Sequence, residues 1–308
     1  MKALVTGGCG FIGGYLVDGL LSKGADVMVV DNLSSGNLDN IPVEKVEFFE
    51  RDLKEMDVPL DSVDVVYHLA ASSDVRAGLE ERWAQMRENL FTTYNLLEQM
   101  AEYGVKNLVF TSTSAVYGEN PSSVKEEHFP KPISIYGSSK LACEGMISAY
   151  AHLFDLRVAV FRLANIVGPR AKKGVVPELV KKVRKAKAAR KDELEILGDG
   201  TQRKSYLYVE DCVDGILVLI PRPGFEIYNL GSSDSITVNE VADAITDEMG
   251  VKMSYRYKKS KGGRGWLGDA KEIELAADKL RARGWSPKHN SEEAVRRTVR
   301  ELTIDKNM

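Results

Sequence analysis

Lys2-Ala-Leu-Val-Thr6, Gly7-Gly-Cys-Gly-Phe-Ile-Gly13 and Ala25-Asp-Val-Met-Val-Val-Asp31 are the stretches whose order decides the fold. The first is a short apolar run of the kind that forms a central parallel strand. It breaks at glycines spaced GxxGxxG and enters an amphipathic pattern through Leu16, Leu20 and Leu21. The next apolar run ends just before Asp31. Strand, glycine turn, helix, strand and acid is the order of a dinucleotide-binding βαβ unit. Gly7, Gly10 and Gly13 allow a tight turn and let a pyrophosphate approach the amides of the helix N-terminus. A carboxylate at Asp31 can take both adenosine ribose hydroxyls and repels a 2′-phosphate, so NAD is expected in preference to NADP.

The chain has 308 residues, enough for one large or two modest domains. Hydrophobic residues make up 44%, ample for a core, and the net charge of −3 points to neither nucleic acid nor membrane as partner. Met1 directly precedes the first strand, leaving no room for a signal peptide, and no apolar run reaches spanning length, so a cytoplasmic protein is expected. Cys9, Cys143 and Cys212 form no CxxC pair and read as reduced, mostly buried thiols. His68, His128, His152 and His289 are scattered, without metal-ligand spacing, so chemistry without a metal is expected.

Further apolar strand runs lie at 46–49, 63–68, 108–111 and 158–163, with helical patterns at 82–103 and 138–154 between them. That alternation predicts an α/β fold, a doubly wound parallel sheet of Rossmann type. After Asn165 the rhythm changes to a basic helix at 176–191, short strands, a loop rich in Gly and charge at 258–268, and small helices. This predicts a smaller C-terminal α/β domain for substrate. A helix at 209–219 and a strand at 226–230 returning to the main sheet put the boundaries at 1–165 plus 209–231 and 166–208 plus 232–308. The seven cations of the basic helix, from Lys181 to Lys191, read first as a solvated face.

The second informative stretch is Tyr136-Gly-Ser-Ser-Lys140. On a helix, positions i and i+4 share a face, so phenol and ammonium can lie together. The ammonium favours tyrosinate, making Tyr136 a proton acceptor from an alcohol. Upstream, Thr111-Ser-Thr-Ser-Ala-Val-Tyr-Gly118 places hydroxyls at the carboxyl end of a strand, where they point into the ligand crevice.

With GxxGxxG, YxxxK and an upstream Ser/Thr in one chain, the sequence resembles the short-chain dehydrogenase/reductase superfamily. TGGCGFIG, DNLSSG, HLAA, VYG, YGSSK, RLANIVGPR and GDGTQ resemble its extended branch, which acts on nucleotide sugars, and the likeness spans essentially the whole chain. Within that branch it is most similar to UDP-glucose 4-epimerases. The resemblance implies that Gly7, Gly10, Phe11, Ile12 and Gly13 lie against the NAD pyrophosphate. Asp31, Asn32, Ser35 and Gly36 would hold the adenosine ribose, and Asp52 and Leu53 would flank adenine. Leu69, Ala70, Ala71 and Asn89 would lie on the nicotinamide side. It implies catalytic roles for Thr113, Tyr136 and Lys140, the last also holding the nicotinamide ribose. Substrate contacts would come from Thr113, Asn165, Val176, Lys204, Tyr206, Arg264, Asp269 and Ile273.

Dehydratases and decarboxylases of the branch carry carboxylates after the catalytic Thr, whereas this chain has Ser114-Ala115, which favours simple epimerisation at carbon 4. A 4-epimerase for another nucleotide sugar (UDP-glucuronate or a UDP-N-acetylhexosamine) is the alternative, and a non-catalytic NAD(H) sensor the more distant one. Two diphosphate-gripping arginines of the family are replaced, one by Lys204 with Arg203 displaced by one, the other by Trp266 with Arg264 nearest. The resemblance further implies a UDP-hexose substrate and a homodimer formed through helices 82–103 and 138–154, to which Leu90, Leu97, Met146 and Ile147 would contribute.

Overall fold

The computed structural model describes residues 1–55, 58, 60–76, 81–120, 123–258 and 261–304; residues 259 and 260 of the charged loop and 305–308 at the C-terminus lie outside them. Strands β1 (Lys2–Thr6), β2 (Asp26–Asp31), β3 (Glu47–Glu50), β4 (Val65–His68), β5 (Asn107–Thr113), β7 (Arg157–Leu163) and β12 (Gly224–Leu230) form one parallel sheet. Their order is β12-β7-β5-β4-β1-β2-β3. Side chains alternate across it with the period of two that a strand dictates. Ala3, Val5, Val27, Val29, Val109, Ala159 and Phe161 enter one core with α1 (Phe11–Ser22) and α5 (Val209–Leu217). Leu4, Met28, Val66, Leu108, Phe110, Val158 and Val160 enter the other with α2 (Arg82–Tyr103) and α3 (Ile135–Leu153). Burial on both faces explains why these strands read as continuous apolar runs.

The expected return of a strand to the sheet is met by β12, which pairs with β7 along its whole length. Helix α3 begins at Ile135, earlier than the apolar pattern indicates, because Ser134 caps it by accepting the Gly137 amide at 3.0 Å. Tyr136 therefore lies in the first turn. Asp31 is the last residue of β2, paired with Glu50, and does not lie beyond the strand.

The remaining elements build smaller sheets beside the strand ends. Strand β8 (Asn165–Val167) pairs with β11 (Tyr206–Tyr208), and β9 (Glu193–Leu197) with β14 (Ser254–Lys258). A four-stranded sheet runs β13 (Ile236–Thr237), β10 (Arg203–Lys204), β15 (Glu272–Leu275) and β6 (Ser123–Val124). A third core joins α4 (Val175–Ala188), α6 (Val238–Glu248) and α8 (Ser291–Ile304) through Val180, Val183, Val241, Ile245, Val295 and Val299. The short α7 (Asp278–Arg281) belongs elsewhere: Ala277, Leu280 and Trp285 pack in the first core, where the Trp285 indole donates to the Asp211 carbonyl at 2.9 Å. Among the described residues no helix is long and apolar enough to cross a membrane.

Candidate active site

The carboxyl ends of β1, β2, β4, β5 and β7 open into one continuous cleft of about 1420 Å³. Strand order reverses beside β1, the topological switch point at which open α/β sheets bind ligands. The glycine turn sits there. Gly7 has φ +70°, and a Cβ on Gly13 would come within 2.2 Å of the Gly7 carbonyl, so α1 can approach the turn only without a side chain at that position. Gly10 caps α1 without any side-chain hydrogen bond, which leaves the first-turn N–H groups for an anion.

Asp31 is buried beside this turn, its carboxylate accepting the Cys9 amide at 3.0 Å and the Leu33 amide at 2.8 Å. Burial raises its pKa, and the two amides pull it back. The second of these bonds bends the chain through Leu33 at φ +55°, an Asx turn that carries Asn32, Ser34 and Ser35 into the cleft wall. At Asp52 burial acts upward but is outweighed by the Lys54 amide, the Asn32 amide group and the Lys54 ammonium, so the carboxylate is held below its usual range. Lys54 also pairs with Glu88 at 2.6 Å. Gly7, Gly10, Phe11, Ile12, Gly13, Asp31, Asn32, Ser35, Asp52, Leu53, Leu69, Ala70 and Ala71 all line the cleft. A glycine cradle that a Cβ would fill, open helix N–H groups and a carboxylate at the end of β2 together fit NAD.

Two residues assigned to this end stand behind the wall. Gly36 lies against the Asp31 carboxylate and Cys9. Asn89 is buried on α2, accepting the Ser72 amide at 2.7 Å and donating to Ser139 at 2.8 Å, so it ties the 69–74 segment to α3 instead of facing a ligand. The three cysteines are buried and unpaired; burial and the neighbouring Asp31 push the Cys9 thiol up to about 12.

At the far end stand the residues of the proposed chemistry. Thr113 ends β5 and lines the cleft beside Tyr136, its hydroxyl accepting the Ala115 amide at 3.1 Å. Gly137 lets the start of α3 come this close, since a Cβ there would lie 2.5 Å from the Ala115 carbonyl. The sequence leads one to expect Lys140 to lower the phenol's pKa. Instead its Nζ donates to the Thr111 carbonyl at 2.8 Å and lies 4.5 Å above the Phe110 ring. Burial pushes the phenol up to about 12, against the pull of Thr113, and burial brings Lys140 down to about 8. His68, bonded between the hydroxyls of Thr6 (2.7 Å) and Thr93 (3.0 Å), is brought to about 3 by burial and by Lys140. It is a neutral strut, and the HLAA motif was its sequence signal.

Asn165, Lys204, Tyr206, Asp269 and Ile273 also line the cleft. Lys204 and Asp269 form an ion pair within it. Val176 does not reach the cleft: α4 begins one residue earlier, so Val175 faces it while Val176 packs into the third core. Arg264 turns away, its guanidinium held by Glu119 and by the Asp269 carbonyl at 2.6 Å. Arg203 points outward to the Ser235 carbonyl and Glu240. Trp266 does line the cleft, joined by Ser134, Gln202, Lys172 and Lys173, none of which the sequence analysis assigned.

A nucleotide-sized cleft at a Rossmann switch point, with a Thr–Tyr hydroxyl pair and a buried lysine at one end, defines a dinucleotide-dependent enzyme acting on an alcohol or ketone. Residues 3–231 match the NAD dependent epimerase/dehydratase family, and the chain belongs to it. A relative described as a putative UDP-glucose 4-epimerase, from Methanocaldococcus jannaschii, is 34% identical over 96% of both chains. A UDP-glucuronate 4-epimerase from Thermodesulfobacterium geofontis is 30% identical over 96% of this chain and 94% of its own. Among solved structures, a UDP-galactose 4-epimerase superimposes with a TM-score of 0.88 at 37% identity, covering 99% of this chain and 100% of that one. The UDP-glucose 4-epimerase of Thermotoga maritima, solved with UDP-glucose, gives 0.89 at 32% identity with both chains fully covered.

Proposed function

We propose that the protein epimerises carbon 4 of a UDP-hexose, interconverting UDP-glucose and UDP-galactose. The observation that carries this reading is that Thr113 and Tyr136 stand together at one end of a cleft whose other end is the glycine turn and Asp31. Tyr136 takes the proton of the sugar 4-hydroxyl and later returns it, while Thr113 bonds the same oxygen as its charge changes. Bound NAD supplies the hydride acceptor for carbon 4, and its positive ring favours the tyrosinate. Ser114 and Ala115, which line the cleft beside this pair, offer no carboxylate for elimination or decarboxylation. Lys204, Tyr206 and Asp269 would hold the nucleotide while the keto sugar turns over between its two faces. The test is to incubate purified protein with UDP-galactose and no added cofactor. UDP-glucose should appear, and conversion of UDP-glucuronate alone in a parallel sample would transfer the proposal to that sugar acid.

Ile273 bears on which sugars enter. It lines the cleft, opposite Lys204 in the β10–β15 pairing, and packs with Val116 near the reactive end. An aliphatic side chain leaves space that a tyrosine ring would fill. The wild type is therefore expected to accept UDP-N-acetylgalactosamine as well as UDP-galactose, and Ile273→Tyr to lose the acetamido sugar selectively in a competition assay. Equal acceptance by both proteins would show that Ile273 is not beside the sugar.

Homodimerisation through α2 and α3 is also proposed, although by different residues from those expected. Leu97 and Ile147 are buried in the second core, with Leu90 and Met146 packed partly against it. The exposed residues are Trp83, Phe91, Tyr94 and Tyr103 of α2, with Leu153 and Phe154 at the end of α3. Large apolar side chains exposed on these two helices favour association. Light scattering at micromolar concentration should give twice the chain mass, and Phe91→Glu/Tyr94→Glu should halve it; a wild-type monomer would contradict the proposal.

A further inference from the structure

The end of β5 is gripped by α3 at two consecutive residues, and the next residue, Thr113, lines the cleft with Tyr136. Lys140 donates to the carbonyl of Thr111, and Ser112 donates its hydroxyl to Glu144. Positions 136, 140 and 144 follow one another at single-turn spacing along one face of the helix. Ser112 continues the alternation of Leu108 and Phe110 toward the face that α3 covers. Glu144 is held in turn by Arg162 of β7, through Nε to Oε1 at 3.1 Å and Nη2 to Oε2 at 2.6 Å, with both side chains at most 4% exposed. The Arg162 guanidinium lies 4.7 Å above the Tyr117 ring, whose hydroxyl donates to Asn229 of β12 at 2.8 Å. One buried polar chain thus links α3, β5, β7 and β12.

A buried ion pair is weak evidence of stabilisation, since apolar residues of the same volume often serve as well. Its value here lies in what it adjoins. Burial drives Lys140 toward the neutral amine, and Cys143 and Glu144 are the groups opposing that. Burial keeps the Cys143 thiol protonated, and His68, facing Lys140 from β4, is neutral for the same reason. Phe110 and the Thr111 carbonyl contribute only partial charge. Apart from Tyr136 itself once ionised, Glu144 is the anion that remains, and Arg162 on β7 is paired with it.

We propose that Glu144, Ser112 and Arg162 form a positioning unit for the reaction, which fixes Thr113 against Tyr136 and supplies the negative charge facing Lys140. Ser112 lines the cleft, whereas Glu144 and Arg162 do not and act through their neighbours. The proposal rests on the epimerase reading above.

The test measures kcat and KM for UDP-galactose between pH 6 and 10 on the NAD-bound full-length chain. Ser112→Ala keeps both charges, so kcat should fall about 10- to 10²-fold through misplacement of Thr113, with KM little changed and the limb set by Lys140 where it is in the wild type. Glu144→Gln removes the anion and leaves Arg162 positive, so Lys140 loses its proton more readily and that limb moves to lower pH. Arg162→Met leaves the Glu144 charge unopposed and moves the limb the other way. A purely structural role would reduce folded protein or lower kcat evenly across pH. An unmoved limb in Glu144→Gln overturns the proposal; if that variant does not fold, wild-type kcat in Ser112→Ala does so. A wild type silent on every UDP-sugar would overturn the epimerase reading itself, an outcome readily told apart from these.

Discussion

Tyr136→Phe is expected to lower turnover of UDP-galactose by about 10²- to 10⁴-fold, the contribution of a positioned acid–base group, while leaving nucleotide-sugar affinity close to wild type. The substitution removes one oxygen and no bulk. The Thr113 hydroxyl keeps the Ala115 amide as a donor and so stays in place. Rapid-quench analysis with UDP-galactose, alongside calorimetric titration with UDP-glucose, separates the two quantities. Turnover within a few fold of wild type would require another proton acceptor. Lys140 is not a substitute, because its Nζ is engaged by the Thr111 carbonyl. The wild-type pH profile has a defined direction. With the phenol raised to about 12 and the lysine depressed to about 8, the tyrosinate–ammonium form is a minor species, so activity should rise with pH until Lys140 titrates and then level off.

Gly13→Ala should abolish retention of NAD through gel filtration, read from the absorbance ratio of the eluted protein and from bound nucleotide released by denaturation. The new methyl group would meet the Gly7 carbonyl at 2.2 Å and the Gly8 Cα at 2.8 Å. Both are backbone, so the turn itself must shift, and the N–H groups that would meet a pyrophosphate shift with it. Overpacking of this kind costs about 1–3 kcal/mol, enough to lower the melting temperature by several degrees without unfolding the chain. Stoichiometric NAD in the purified variant would show that the turn does not form the cofactor's cradle.

The parts of this molecule that were legible in the sequence are those in which local pattern and burial agree. Strands buried on both faces announce themselves as apolar runs, and residues 2–6, 158–163 and 226–230 were all placed in the sheet they occupy. The GxxGxxG turn and Asp31 were legible because backbone geometry leaves few alternatives there. What failed depended on direction and depth. Val176 and Val175 are adjacent and chemically alike, yet helix phase turns one into the core and the other to the cleft. Asn89 has the polarity of a ligand contact, and only its bonds to Ser72 and Ser139 reveal a strut. Arg264 looked like a replacement cation, but Glu119, far away in sequence, draws it off. Long-range partners of this kind leave no local trace.

The pairing of β12 with β7 also constrains how the polypeptide can be made. During synthesis β7 emerges with one edge unpaired, and the strand that covers it, Gly224–Leu230, follows only after α4, β9 and β11 have been translated. A nascent chain halted before that point presents an apolar parallel edge to its neighbours on the polysome, the kind of surface on which chains aggregate. Removing the C-terminal half to isolate the nucleotide-binding half would recreate the same exposed edge, so such a fragment should be recovered in inclusion bodies unless residues 209–230 are grafted back onto it.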